Sequence, residues 1–510
     1  MELNLTQTPV SSLVEALNTV SEQPVDIDFT LPDYCPDIEK ILRCKITPKI
    51  YNRNLSGGQL QIEGSSVISV LYVDSEKGAI RACEQSLPFS ASFRLNDVTD
   101  DYVIETSVKC EYVNCRALSR RRLTVHGAFS LYAKVLTRGM IELYSPDGVE
   151  NIEFRSSDIT LSALSSLAGE QFSVFDEIQI NDNSTVEIII DSNVKANITD
   201  YKIIPEKLML NGELNVRVLY ISDVEAGKPR QLDYIVPFSE VVDCIGLNDD
   251  STVCVNLSMM SYDLSLKSEI LTDGPVITVD AKIGVTVRGY SSECLRIAKD
   301  AYSTEFVSEP DFARLNSPAD TKLLSDTFMH KDTLSLGDVC ISEIMDFESN
   351  VCPLMTKFTD DKLVISSKVN INILAYNSEN EPVYIERAVD VCKELDIPDD
   401  FNNILCSEFS IISVSYRLGD ENNIDIRCEM KYCLTLQKAV CLNFVSSVNV
   451  DESKPLSKRN CALTLYYADK GEEIWKIAKL YNTKQSLIVS ENDLLTETLE
   501  QPLMLLIPTV

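Results

Sequence analysis

Histidine is nearly missing from this chain: His126, inside a strand-like pattern, and His330, in a connector, are the two in 510 residues. A histidine–nucleophile pair or a histidine-rich metal site therefore lacks its parts. Also missing are a Walker loop, a dinucleotide glycine fingerprint, a Gly-x-Ser-x-Gly elbow and a His-Glu-x-x-His helix. The expectation is a protein that is no enzyme and that carries no metal or cofactor. The paired acids Asp360-Asp361 and Asp399-Asp400 read as loop charges. A carboxylate pair for glycoside hydrolysis needs no local motif, and nothing in the sequence selects one. No apolar run approaches the ~18 residues of a membrane helix. Met1-Glu2-Leu3-Asn4 has neither a basic n-region nor an apolar h-region, so a chain neither exported nor inserted in a membrane is expected. Basic charge is scarce as well: 46 Lys+Arg against 78 Asp+Glu give −32, which excludes nucleic acid as a general partner. Sixteen cysteines are present but no Cys-x-x-Cys, the closest pairs being Cys110/Cys115 and Cys428/Cys433. Scattered singly through strand-like runs, they read as free thiols of a reducing cytoplasm rather than a disulfide framework.

What is present is an ordinary globular composition, 45% apolar and 24% charged, long enough for three or four domains. Charge is unevenly spread. Pro36 to Arg138 holds 15 basic and 11 acidic residues, a balance of +4, while the remainder holds 31 and 67, a balance of −36. Arg116, Arg120, Arg121 and Arg122 concentrate the positive charge near one hairpin turn. Such a cluster is either a solvated turn or a docking patch for an acidic protein surface.

One 13-residue pattern occurs three times, at Leu60–Tyr72, Leu208–Tyr220 and Leu363–Ala375. In the second copy Leu208, Leu210, Leu214, Val216, Val218 and Tyr220 alternate with mostly polar neighbours, the period of a strand with one buried face. Gly64, Gly212 and Ser367 hold the same place in each copy and point to a bend, a bulge or a close backbone approach. Pro88-Phe89 and Pro237-Phe238 follow in the first two copies, with Val391-Cys392 in that region of the third. Each copy ends in further alternating strands, from Leu123, Ile277 and Ile424, the latter two behind the Asp273-Gly274-Pro275 turn and the Gly419–Asn423 loop.

Units of this size, with several short strands, predict a mostly β protein of three repeated antiparallel β-sandwich-like domains. The expected boundaries are an N-terminal segment 1–33, repeats at 34–140, 174–292 and 336–450, linkers at 141–173 and 293–335, and a C-terminal domain at 460–510. Val14, Leu17 and Val20 at rough helical spacing suggest a helix within Gln7–Val25, and the Tyr144–Gln171 and Ser292–Ser335 stretches each have room for another.

At the C-terminus an apolar run with Leu463, Leu465, Tyr466 and Tyr467 reaches the Asp469-Lys470-Gly471 turn. Ile474, Ile477, Ala478 and Tyr481 then fall on one helix face, with Glu472 and Glu473 expected in its first turn. Thr483 is placed to cap a second helix reaching Glu491, Asn492 to end it in a left-handed conformation, and Leu503–Ile507 to close with a strand. This βααβ order, with Tyr467, Gly471, Ile474-Trp475, Ile477-Ala478, Tyr481, Asn492-Asp493-Leu494 and Leu506-Ile507-Pro508, resembles a LysM domain. The resemblance implies binding of peptidoglycan or another N-acetylglucosamine polymer in a groove. By position that groove is lined by Lys470, Gly471, Glu472, Glu473 and Ile474 on one side and by Asn492, Asp493, Leu494 and onward to Thr496 on the other. Two departures stand out: Gly471-Glu472-Glu473 replaces the usual Gly-Asp-Thr, and Gln501-Pro502 replaces the usual glycine before the last strand.

Near the N-terminus Ser21–Asp28 runs into Leu31-Pro32-Asp33-Tyr34-Cys35-Pro36-Asp37-Ile38. With the triplicated β unit and the terminal module, this resembles the SipL family of endospore-forming clostridia. The resemblance implies a non-catalytic scaffold of spore-coat and envelope morphogenesis in the mother-cell cytoplasm, at the forespore surface. It implies docking onto a coat morphogenetic ATPase of the SpoIVA type, with the LysM domain as binding module. The alternative is a peptidoglycan-binding protein that uses the LysM domain for glycan.

Overall fold

A computed structural model of the chain describes residues 2–4, 6–95, 101–145, 151–180, 186–223, 227–267, 275–337, 339–359, 362–398, 400–419, 423–456 and 463–508. Asp273, Gly274, Asp360, Asp361, Asp399 and Cys461 lie outside these residues. The protein is mostly β, as the alternating runs predict. After a short β1 (Glu2–Asn4), the first unit comprises β2 (Thr6–Thr30), β3 (Ile38–Ser56), β4 (Gln59–Asp74), β5 (Ile80–Arg94), β6 (Tyr102–Ser119) and β7 (Arg122–Ser145). β3-β4-β5 make one antiparallel sheet, and β2-β7-β6 make the other. The second unit repeats this with β8 (Ile152–Gln179), β9 (Ile188–Ile204), β10 (Lys207–Ile221), β11 (Pro229–Asp243), β12 (Thr252–Lys267) and β13 (Val276–Ser303). The third uses β14 (Phe306–Ser335), β15 (Ile341–Val351), β16 (Met355–Thr359), β17 (Lys362–Asn377), β18 (Pro382–Asp396), β19 (Asn403–Leu418) and β20 (Asn423–Pro455). There β15 and β16 share the place of one strand, broken around Pro353, which has no N–H for the ladder.

The three 13-residue copies are thus the central strands β4, β10 and β17, with their Leu60, Leu208 and Leu363 side chains all buried. Core residues of each unit come from both of its sheets. In the first, Leu60, Ile62, Ile68 and Val70 of β4 meet Leu123, Val125, Phe129 and Leu131 of β7. All fifteen described cysteines are free thiols.

The segments expected to hold helices are strands. β2, β8 and β14 lie antiparallel along β7, β13 and β20, the last strand of their own unit. Three apolar residues at i, i+3 and i+6 were too few to set a period. Pairing over 24 or more residues with a long neighbour decided the conformation instead. Prolines within these segments already argued against helices. Pro9, Pro24, Pro310 and Pro318 sit on β2 and β14, edge strands of their sheets, where a missing N–H is tolerated.

Gly64 and Gly212 are close approaches. Each lies directly opposite a phenylalanine, Phe89 or Phe238, on the neighbouring strand. A Cβ on Gly212 would sit 2.3 Å from the Phe238 ring and 2.7 Å from the Asn197 carbonyl oxygen, and one on Gly64 would sit 2.6 Å from the Phe89 ring. In the third unit both partners have changed: Ser367 faces Val391 and donates its hydroxyl to the Cys352 carbonyl at 2.8 Å. The smaller valine leaves the room that the glycine otherwise supplies.

The units close around a shared centre. In the strand that precedes each copy, Leu42, Ile190 and Met345 hold equivalent places, and the copies contribute Leu71, Leu219 and Leu374. All six belong to a single buried apolar cluster drawn from all three units. A bulge on β12 also sends Met260 into the core of the first unit. β1 pairs with β20, so the start of the chain lies against the third unit.

We predict that Gly212→Ser destabilises the protein by about 1–3 kcal/mol through overpacking against Phe238. Adding Phe238→Val, which recreates the third unit's pair, should recover the part of the loss due to the ring in denaturant unfolding, while the approach to the Asn197 carbonyl remains. A double variant as unstable as the single one would show that the ring does not set this requirement.

Candidate docking surfaces

At one tip of the first unit the β6–β7 hairpin meets the Leu31–Ile38 segment. The Arg121 guanidinium donates to the carbonyl oxygens of Pro32 at 2.9 Å and Cys35 at 3.0 Å, and to the Asp37 carboxylate at 3.0 Å. Leu31 N–H donates to the Arg121 carbonyl and Ile38 N–H to that of Arg120, both at 2.8 Å. The segment is thereby folded over Arg121 and presents Tyr34, which is 87% exposed. Of the four arginines read as a patch, Arg121 is engaged in this scaffold and Arg122 lies 3.4 Å from Asp28. Arg116 and Arg120 face solvent.

The C-terminal module consists of β21 (Leu463–Ala468), α1 (Ile474–Tyr481), α2 (Gln485–Glu491) and β22 (Leu503–Pro508), with the two strands paired antiparallel. Its local details correct the sequence reading. α1 starts at Ile474, so Glu472 precedes it and Glu473 is its N-cap, and no acid lies in its first turn. Lys484, not Thr483, stands at the cap of α2. The left-handed residues are Asn482 and Asp493, while Asn492 has φ −110°. Asn492 instead pins α2 to β22: its side chain donates to the Ile488 and Leu506 carbonyls at 2.8 and 2.7 Å and accepts from Leu506 N–H at 2.7 Å. Glu472 braces the turn, accepting from the Tyr466 hydroxyl at 3.2 Å and from Asp469 N–H at 3.1 Å. Gly471 N–H and Ile474 N–H donate to the Leu499 and Glu497 carbonyls at 2.8 and 2.9 Å, so the first loop is tied to 497–499. Lys470 and Asp493 are exposed, and Leu494 is half-buried against the module core.

The module is seated on the body. Trp475 Nε1 donates to Asp300 Oδ2 at 2.8 Å and Lys479 Nζ donates to Asp300 Oδ1 at 2.7 Å. The Tyr302 hydroxyl donates to the Thr483 carbonyl at 2.7 Å, and its ring meets that of Trp475 edge-on at 4.9 Å. Burial raises the Tyr302 phenol above its ordinary range, with Glu153 and Asp300 adding to the effect. Arg155 pairs with Glu473 at 2.8 Å. Trp475 is buried because the body covers its face of α1. The face left open is the outer side of the two-stranded sheet, where Leu465 (62%), Tyr467 (70%) and Met504 (60%) are exposed.

The third charged feature is interior. Arg43, Asp191 and Asp346 hold equivalent places in the three units, opposite Leu71, Leu219 and Leu374. Two residues on, Lys45, Asn193 and Glu348 are likewise equivalent. Arg43 pairs with Asp191 and lies 3.5 Å from Glu348; Lys45 lies 3.7 Å from Asp191 and 3.8 Å from Glu348; Arg217 pairs with Asp346. Asn193 donates to Glu348 at 2.6 Å. Burial alone would raise Glu348, but Lys45, Arg43 and Arg217 hold its carboxyl well below the usual carboxylate range.

A family model described as SipL, SPOCS domain, matches residues 37–118 and 185–267. The first two units therefore carry SPOCS domains of the SipL family. This family is sporulation-related. No curated protein and no solved structure matches the chain. The two SPOCS matches cover equivalent parts of the first two units, from the sheet centred on β4 or β10 through β6 or β12. The third unit has the same strand order and lies outside both matched ranges. Among the described residues, no helix is long and apolar enough to cross a membrane.

Sequence reasoning missed the interior charges and the seat of the module. Arg43, Asp191 and Asp346 were open to detection, since each interrupts an apolar stretch at one fixed distance before a 13-residue copy. Asp300 and Tyr302 carry no local signal, because their partners lie some 175 residues away.

Trp475 is the single tryptophan of the chain, so its fluorescence reports the seat directly. Asp300→Ala should shift emission to the red and increase quenching by acrylamide. An unchanged spectrum would contradict a module held on the body through Asp300.

Proposed function

We propose that the chain is a non-catalytic scaffold of spore-coat and envelope morphogenesis, acting in the mother-cell cytoplasm at the forespore surface. In this reading the C-terminal module is a LysM domain that docks onto a coat morphogenetic ATPase of the SpoIVA type. The three SPOCS-type units are β-sandwiches that position it. The two SPOCS matches of the SipL family support the assignment to sporulation, and the βααβ order with its antiparallel terminal strands supports LysM. The observation that carries protein docking is the module's polarity. α1 is spent on the body, and the opposite sheet face offers exposed Leu465, Tyr467 and Met504. Aromatic and aliphatic side chains held on a rigid sheet are the usual anchors of a protein interface. Glycan binding is the less favoured reading, because Glu473 of the expected sugar loop is already paired with Arg155.

The exposed Arg116 and Arg120 fit a secondary role in this reading, as a salt-screened attraction toward an acidic surface. The decisive comparison is a pull-down of the intact protein with purified coat ATPase beside one with insoluble peptidoglycan. Leu465→Ser with Tyr467→Ser, both surface changes, should weaken ATPase binding at least tenfold and leave Trp475 fluorescence unchanged. Undiminished ATPase binding by this variant would move docking off the module's sheet face. Retention on peptidoglycan, with no ATPase binding by the wild type, would favour the glycan reading.

A further inference from the structure

Between the second and third units lies a cleft of about 540 Å³. Its floor is the outer face of the β9-β10-β11 sheet, where Lys195, Asn215 and Ile235 form one cross-strand row. Val194 and Ala196 pack in the core of the second unit, so Lys195 between them faces the cleft. The opposite wall belongs to the third unit, with Phe347 of β15 stacked on Tyr416 of β19 at 4.4 Å. A bulge on β19 presents Ile412 at the place where β12 presents Met260. Met260 is buried in the first unit, whereas Ile412 stays 46% exposed and lines the cleft.

Two lysines near the centre of the molecule meet opposite fates. Lys45 has Asp191 at 3.7 Å and Glu348 at 3.8 Å, and although burial pulls it down, these carboxylates hold its ammonium above the ordinary value. Lys195 donates to the Ser349 carbonyl at 2.5 Å and has no ion pair within 4 Å among the described residues. Glu348 is turned instead toward Arg43, Lys45 and Asn193. Burial lowers Lys195 to about 8, helped by Arg217 and Lys45 and opposed by Glu348. A share of it is therefore free amine near neutral pH, where a surface lysine, titrating near ~10.4, is almost wholly protonated.

We propose that this cleft binds small aromatic aldehydes and that Lys195 captures them as an imine. The ring lies against the Phe347–Tyr416 wall while the carbonyl carbon reaches Nζ. The amine lone pair forms the new C–N bond and the carbonyl oxygen becomes a hydroxyl. Loss of that hydroxyl as water, with the amine protons passing to solvent and oxygen, leaves C=N. One amine and one aldehyde give one imine and one water, with no change of oxidation state. Nothing in this step depends on the docking role of the C-terminal module.

The test uses the intact protein and 4-hydroxybenzaldehyde, with borohydride to reduce any imine to a stable secondary amine and peptide mass spectrometry to locate it. At pH 7.5 Lys195 should be labelled at least tenfold faster than Lys476 or Lys368, whose side chains are 74% and 59% exposed. Its rate should reach half its maximum near pH 8, while those of the surface lysines keep rising well beyond. Lys195→Arg should remove the fast phase and leave surface labelling unchanged. Propanal, which has no ring, should show less than a third of the preference for Lys195. Even labelling of all lysines would overturn the proposal, and an equal preference with propanal would overturn its aromatic part.

Discussion

Six buried or half-buried charges where the three units meet set the terms for the rest of this structure. Arg43, Lys45 and Arg217 face Asp191, Asp346 and Glu348, and each of these five pairings crosses from one unit to another. Charges taken out of water cost several kcal/mol each unless a partner is in place, so no unit satisfies its own members alone. The position of Arg43 holds a cation in the first unit and the anions Asp191 and Asp346 in the other two, which makes the repeats non-interchangeable. Three identical copies would place like charges together at the centre. The apolar cluster of Leu42, Leu71, Ile190, Leu219, Met345 and Leu374 beside them supplies cohesion, and the charges supply order.

From that centre the other features follow in sequence. A fixed arrangement of units leaves a cleft between the second and third, in which Glu348 is turned toward Lys45 and Lys195 has no carboxylate within 4 Å among the described residues. It also sets the direction of the long β13 strand, whose far end carries Asp300 and Tyr302 to the module. The module is thus presented with one face spent and one face free, the arrangement that the proposed scaffold role requires.

Much of this was legible in the sequence wherever a short-range periodicity was the cause. The alternation in Leu208–Tyr220 gave the strand and its buried face, and Gly64 and Gly212 announced the close approach of a neighbour. The identity of that neighbour, Phe89 or Phe238, became visible in the register. Helices suggested at Val14, Leu17 and Val20 failed because pairing with β7 outweighs a weak local pattern. Asn492 was read as a helix stop by residue type, yet its amide is used to bridge α2 and β22, and Asp493 takes the left-handed place. Arg121 read as surface charge because its partners, Pro32 to Asp37, lie some 85 residues earlier. Contacts of that range leave no spacing to count.

The claim that paired buried charges lock the units together is tested most directly by a double-mutant cycle on Arg217 and Asp346, whose side chains are 16% and 4% exposed. Arg217→Met and Asp346→Leu, each alone, strand the partner in the interior and should cost about 3–5 kcal/mol of stability in denaturant unfolding of the intact chain. Together they leave no unpaired charge, and the double variant should lie within about 1.5 kcal/mol of wild type. Losses that simply add in the double variant would contradict the account, placing the order of the units in the apolar cluster alone.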